Sequence, residues 1–244
     1  IVFGDWSSDV CSSDLACLLA APSFAQNPAA AGETPTETRR DENNPDFYLE
    51  LIAGMQEKRL YYASLAHLDL FEQRWPKDRR ALLLRADALR QTGDYAQARD
   101  YYRRLLAQET SAGAHHGLGL IAAAEGDLAQ ASLSLHEAAR LAPIDARILN
   151  DLGYLQLLRG ERAAARLSLF KASELAPDNR QVGANLALYL LLEGQSERAE
   201  QVMEKHGFAE AQRASVRNDA VRMGRAGGEP GKPLTDSGRV EMVK

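Results

Sequence analysis

The stretch "NDLGYLQLLRGERAAARLSLFKASELAPDN", Asn150 to Asn179, decides the fold. Together with Leu149 just before it, Leu152 and Leu155 recur at helical intervals. Leu158-Arg159-Gly160-Glu161 stops that helix, because glycine takes the left-handed conformation that ends a helix. Glu161 then sets negative charge at the start of a second helix. Gly153, Ala165 and Ala172 are small, which lets two helices approach closely. Pro177 prevents the second helix from running on. Asn179, two residues later, is a good N-cap for the next one. The stretch therefore reads as helix, turn, helix and stop.

The same design recurs along the chain. Gly119, Gly126, Ala131, Ala138 and Pro143 reappear as Gly153, Gly160, Ala165, Ala172 and Pro177 after a shift of 34 residues. A weaker copy follows in Ala187, Gly194 and Ala199, with His206 in place of the second alanine. Another precedes in Ala86, Gly93 and Ala98, with Leu105 in that place. A degenerate first copy keeps Pro76 but has Arg59 where the turn glycine belongs. Asp94 and Asp127 repeat the role of Glu161, and Asp78 and Asp145 that of Asn179.

Leu149, Leu152, Gly153, Ala165 and Pro177 match the signature of the tetratricopeptide repeat (TPR), which this region resembles. The resemblance implies an all-α fold, a right-handed solenoid of about five helix-turn-helix units between Pro45 and Arg213. The units are expected at about 45–78, 79–111, 112–145, 146–179 and 180–213. A capping helix to 223 is expected to close the array, with Val216, Ala220 and Met223 on one face. The segment 26–44 reads as a disordered linker, and the Gly/Pro-rich segment 224–244 as a disordered tail.

Residues 1–25 read as a truncated signal peptide. "ACLLAAPSFA", Ala16 to Ala25, is a short apolar run, and Ser23-Phe24-Ala25 has the small-x-small form of a cleavage site. Asp5 to Leu15, "DWSSDVCSSDL", matches the translation of a sequencing-adapter oligonucleotide and carries no biology on that reading. Cys17 precedes most of the apolar run, the reverse of the order at a lipidation site, so a lipid anchor there is not expected. The expectation is an exported protein of the periplasm or cell envelope. Its mature chain lacks cysteine and so lacks thiol chemistry. No apolar run reaches the roughly 18 residues that span a bilayer, so no integral membrane segment is expected. The net charge of −5 gives no bulk attraction to nucleic acid.

Several fragments mimic enzyme motifs without completing them. "GLGLIA", Gly117 to Ala122, fits a dinucleotide fingerprint but lacks the strand that must precede it, and reads as a helix-packing glycine pair. "HEAAR", His136 to Arg140, has Arg140 where a second zinc ligand belongs. His115 and His116 are adjacent, so on a helix their rings diverge. No catalytic, cofactor or metal assignment follows, and the chain reads as a non-enzyme. Arg79, Arg80, Arg85, Arg90, Arg99, Arg103 and Arg104 outnumber the acids of the second repeat and read as a solvated face or a contact for an acidic partner.

In repeats of this kind the first helix of each pair lines a concave groove. The resemblance implies Arg80, Asp87, His116, Arg147, Asn150, Tyr154 and Asn185 as the residues facing a protein or peptide partner there. Asn185 also sits where asparagine is common for structural reasons. The stretch from Asn150, with "NLALYLLLEGQSERAEQVMEKHG" after it, resembles the TadD-type proteins of tight-adherence (Flp) pilus assembly. That implies a non-catalytic scaffold of the envelope. The alternative is an adaptor in peptidoglycan or outer-membrane assembly, and the least favoured is the regulatory arm of an enzyme.

Overall fold

The computed structural model describes residues 44–76 and 78–226. The leader with its adapter-like stretch and Cys17, the linker up to its last residue, and the tail beyond Ala226 lie outside the described residues. The described residues are all-α, with no strand among them. They form two compact units that divide between Leu141 and Ala142.

The N-terminal unit holds three hairpins: α1 (Pro45–Glu57) with α2 (Tyr61–Arg74), α3 (Arg80–Gln91) with α4 (Tyr95–Leu106), and α5 (Ala112–Ala124) with α6 (Leu128–Leu141). The C-terminal unit holds α7 (Ala146–Leu158) with α8 (Arg162–Leu175), α9 (Arg180–Leu192) with α10 (Ser196–Lys205), and a last helix α11 (Glu210–Ala226). Within each unit a second helix packs on the first helix of the next hairpin, and first helices pack on one another.

One turn design ends every first helix followed by a hairpin partner. Gly93, Gly126, Gly160 and Gly194 all take positive φ. Each passes the chain through a paired backbone closure: Gly160 N donates to Leu157 O at 3.0 Å and Glu161 N to Gln156 O at 2.8 Å. These bonds satisfy the carbonyls that a helix end leaves without partners. Arg59 holds the same closure, its N–H 2.9 Å from Gln56 O and Leu60 N 2.9 Å from Met55 O, at φ 59°. The first hairpin thus keeps the geometry of the turn without its glycine, at a strain a glycine avoids.

Helix starts follow the acids and amides that mark them. Asp145 accepts from Arg147 N and Ile148 N, and Asn179 from Gln181 N and Val182 N. Asn44, Asp94 and Asp127 likewise accept from the first turns of α1, α4 and α6. Asp78 departs from the pattern by one place. Arg79 is the boundary residue of α3 and has helical dihedrals, while Asp78 accepts from Arg80 N and from the Arg80 guanidinium. Glu161 makes no capping bond and instead pairs with Arg159 at 2.7 Å.

Packing within a hairpin rests on small residues set against large ones. A Cβ on Gly119 would stand 2.8 Å from Leu135 Cγ, and one on Gly153 would stand 2.6 Å from Leu169 Cγ. The position of Leu135 and Leu169 is filled by Leu68, Tyr102 and Met203 in the other hairpins, and all five are fully buried. Ala98, Ala131, Ala165 and Ala199 are buried without exposure one turn earlier. In the first hairpin Ser64 takes that place, and Gln56 Nε2 serves it by bonding both Ser64 Oγ at 2.8 Å and Leu84 O at 2.7 Å. Burying each of the large aliphatic side chains contributes about 2 kcal/mol.

The tail departs from expectation at one point. Residues 224–226 continue α11 rather than opening a disordered tail. Gly224 costs a helix about 1 kcal/mol, and a helix already several turns long absorbs that near its end.

Candidate protein-binding surface

In the N-terminal unit, three of the expected contact residues lie on α3 and α5. Arg80, at the start of α3, is exposed and pairs with Asp78 and Asp46. Asp87 is half-buried and accepts from Tyr102 Oη at 2.6 Å. Arg90 Nε donates to the same hydroxyl at 3.4 Å. Burial pushes the Tyr102 phenol well above its ordinary pKa, and the Asp87 carboxylate pushes it further. The ring itself fills the space where Gly117 has no side chain, since a Cβ there would stand 2.1 Å from Tyr102 Cζ. The glycine pair of α5 therefore seats two neighbours, Tyr102 against Gly117 and Leu135 against Gly119. His116 is half-buried on α5, one residue before this seat.

The arginines of the second repeat are mostly engaged within the unit. Arg85 is buried at 9% exposure and bridges Asp69 at 2.8 Å and Glu72 at 2.9 Å. Arg79 pairs with Glu109 and Arg99 with Glu125. Arg104 stacks over the Tyr101 ring at 5.0 Å. The excess of positive charge is thus largely answered by acids outside that repeat. Arg140 pairs with Glu137 at 2.5 Å, and His136 Nδ1 lies 2.8 Å from Ser132 O, so the HEAAR stretch is held by helix-surface contacts. Among the described residues no group of three or more His, Cys, Asp or Glu could hold a metal ion. No helix among them is long and apolar enough to cross a membrane.

In the C-terminal unit, the expected contact residues separate into two kinds. Arg147 is exposed at the start of α7 and pairs with Asp145 at 2.9 Å. Burial raises the Asp145 carboxyl, but its bonds from Arg147 outweigh that and leave it below the usual range. Asn150 and Asn185 depart from the expectation of a partner contact. They are 2% and 3% exposed, and Asn185 Nδ2 donates to Asn150 Oδ1 at 3.0 Å. Buried amides must find hydrogen-bond partners, and these two find one another across α7 and α9. They tie adjacent hairpins together and present almost no surface.

Tyr154 is half-buried on α7, and burial and the Asp219 carboxylate of α11 raise its pKa against an opposing effect of Arg222. Asp219 and Arg222, whose charges act on it, are residues the sequence pattern did not single out. Helix α11 packs on α9. Its Val216 is buried, its Asp219 side chain is only 17% exposed, and Asp219 pairs with Arg222. Arg180 of α9 bonds Gln212 at 2.8 Å, and its guanidinium lies 5.2 Å from the Phe208 ring centre. The stripe Val216, Ala220 and Met223 signalled a helix with one apolar side. It did not signal which surface that side would meet.

Residues 80–109 match the family model described as Tetratricopeptide repeat. Over 112 residues the chain is 38% identical to the TPR repeat-containing protein PA4299 of Pseudomonas aeruginosa. The match covers 44% of this chain and 42% of that protein, so the chain spans less than half the length of this relative. Two solved structures share the fold. The thermophilic TPR protein TTC0263 of Thermus thermophilus superposes with a TM-score of 0.60 at 23% identity, over 74% of this chain and 98% of that one. PilF of Pseudomonas aeruginosa superposes with a TM-score of 0.59 at 20% identity, over 78% of this chain and 90% of that one. Proteins of this fold generally serve as non-catalytic scaffolds that take protein or peptide partners. The hairpin packing, the glycine turns and these likenesses together give the chain the tetratricopeptide-repeat fold.

Proposed function

We propose that this protein is a non-catalytic scaffold of the bacterial cell envelope that holds a partner protein during tight-adherence (Flp) pilus assembly. The observation that carries the scaffold reading is the polar side of α3 and α5. There Arg80, Asp87 and His116 stay exposed or half-exposed over a backbone fixed by Tyr102, Leu135 and the glycines beneath them. Polar groups on rigid helices are suited to recognising a partner, because little freedom remains to be lost on binding. The envelope reading is supported by the small-x-small leader ending at Ala25, and the pilus reading by the resemblance carried from Asn150 onward.

Three measurements test these layers separately. Capture with the full chain should recover a partner, and Asp87→Ala with His116→Ala should lose it while helicity stays; unchanged capture overturns the surface assignment. Fractionation of the native host should place the chain outside the cytosol; retention there overturns the envelope reading. Deleting the gene should abolish Flp pili; a full complement of pili overturns the pilus reading.

A further inference from the structure

Helix α9 is buried on every side. All nine residues from Val182 to Leu190 are buried, and nine residues make about two and a half turns. Packing against a hairpin partner and its neighbours covers three sides, which here face α10, α8 and α7. The fourth side carries Ala184 and Leu188, at 4% and 3% exposure. The cover is α11, which packs along α9.

That cover is thinly held. Among the described side chains of α11, Val216 is the one that is fully buried. Phe208 anchors the approach to the helix, beside Gly207 at φ 63°. The remaining ties are polar and partly exposed: Arg217 with Glu200 at 2.5 Å, Arg213 with Glu200 at 3.6 Å, and Arg180 with Gln212 at 2.8 Å. Exposed pairs of this kind contribute little each. An apolar strip on α9 is therefore shielded by a helix that contributes few apolar groups of its own.

We propose that α11 is the built-in occupant of a helix-accepting groove on α9, and that an amphipathic helix of a partner protein displaces it. The groove takes a helix with small or medium apolar side chains at i, i+4 and i+7, the spacing of Val216, Ala220 and Met223. A partner with larger apolar residues in the stripe outcompetes α11. This rests on the reading of the chain as a protein-binding scaffold, and it adds the class of partner and an autoinhibited ground state.

The test uses the full chain and a fluorescent synthetic peptide of residues 208–226 as the probe, read by anisotropy. In the wild type the attached α11 competes at high effective concentration and keeps the peptide out. Val216→Asp and Ala220→Asp weaken the attached helix and should bind the wild-type peptide at least about tenfold more tightly than the parent chain. Ala220, being only half-buried, carries the test where Val216→Asp does not fold. Opened variants with native circular dichroism that bind no better than the parent overturn the proposal. Hydrogen exchange on the wild type is the second measurement. Amides of α11 should exchange at least about tenfold faster than those of α9, and exchange of both helices as one unit overturns the proposal. Neither readout uses the native partner, so failure of the scaffold reading registers only in capture and pilus assays.

Discussion

Helices α3 and α9 hold the same place in their hairpins and meet different fates. In α3 the position after the repeat alanine is Asp87, half-buried and bonded to the Tyr102 hydroxyl. In α9 it is Leu188, buried with both its neighbours. Leucines 82, 83 and 84 of α3 remain partly exposed, whereas α9 has no exposed residue from Val182 to Leu190. The hairpin template fixes three sides of a first helix and leaves the fourth to be decided by what the rest of the chain lays on it. The N-terminal unit keeps that side polar at Asp87, and the C-terminal unit fills it from within.

Exchanging the two residues is the strongest way to break the comparison. Leu188→Asp buries a carboxylate without a partner and should cost about 3–5 kcal/mol in urea unfolding. Asp87→Leu leaves the Tyr102 hydroxyl short of its main acceptor and should cost only about 1–2 kcal/mol. Equal losses would mean that the two sites are enclosed alike. The Asn150–Asn185 bond gives the next effect. Asn150→Ala or Asn185→Ala should each cost about 1–3 kcal/mol, and the double variant should cost clearly less than their sum. Additive losses would show that the two amides act separately.

A smaller gain is expected in the first hairpin. Arg59→Gly should stabilise it by about 1 kcal/mol by relieving a left-handed residue, read as a rise in midpoint denaturant. A loss would mean that the Arg59 side chain contributes more than the strain it imposes. The smallest effect is a pH dependence of the C-terminal unit. Burial lowers the pKa of His206, with Lys205 and Arg180 acting the same way and Asp178 opposing them. The folded state thus takes up the proton less readily than the unfolded state. Stability should be complete above the ordinary histidine pKa of about 6.5 and decline as pH falls below it toward the folded-state value. His206→Ala should flatten that decline in unfolding curves between neutral and mildly acidic pH.

What the sequence made legible is what is local. The glycine turns, the caps at Asp94, Asp145 and Asn179, and the small-against-large pairs are all set by residues close together in the chain, so their spacing exposes them. Asp78 misled by one position although it bonds the Arg80 backbone and guanidinium just as Asp145 bonds those of Arg147. The contact surface was only partly legible. Polar type and register on a first helix mark Asn150 and Tyr154 equally, yet one is sealed by Asn185 and the other feels the charges of Asp219 and Arg222 on α11. The resting place of α11 was not legible at all, since its short apolar stripe specifies a helix face without naming the surface it covers.

The seating of Leu135 on Gly119 and of Leu169 on Gly153 joins residues only sixteen positions apart. Each such hairpin can close its own interior without waiting for distant segments, which keeps the entropic cost of the first contacts low. A nascent chain leaving the ribosome could therefore acquire order one hairpin at a time, from more than one starting point.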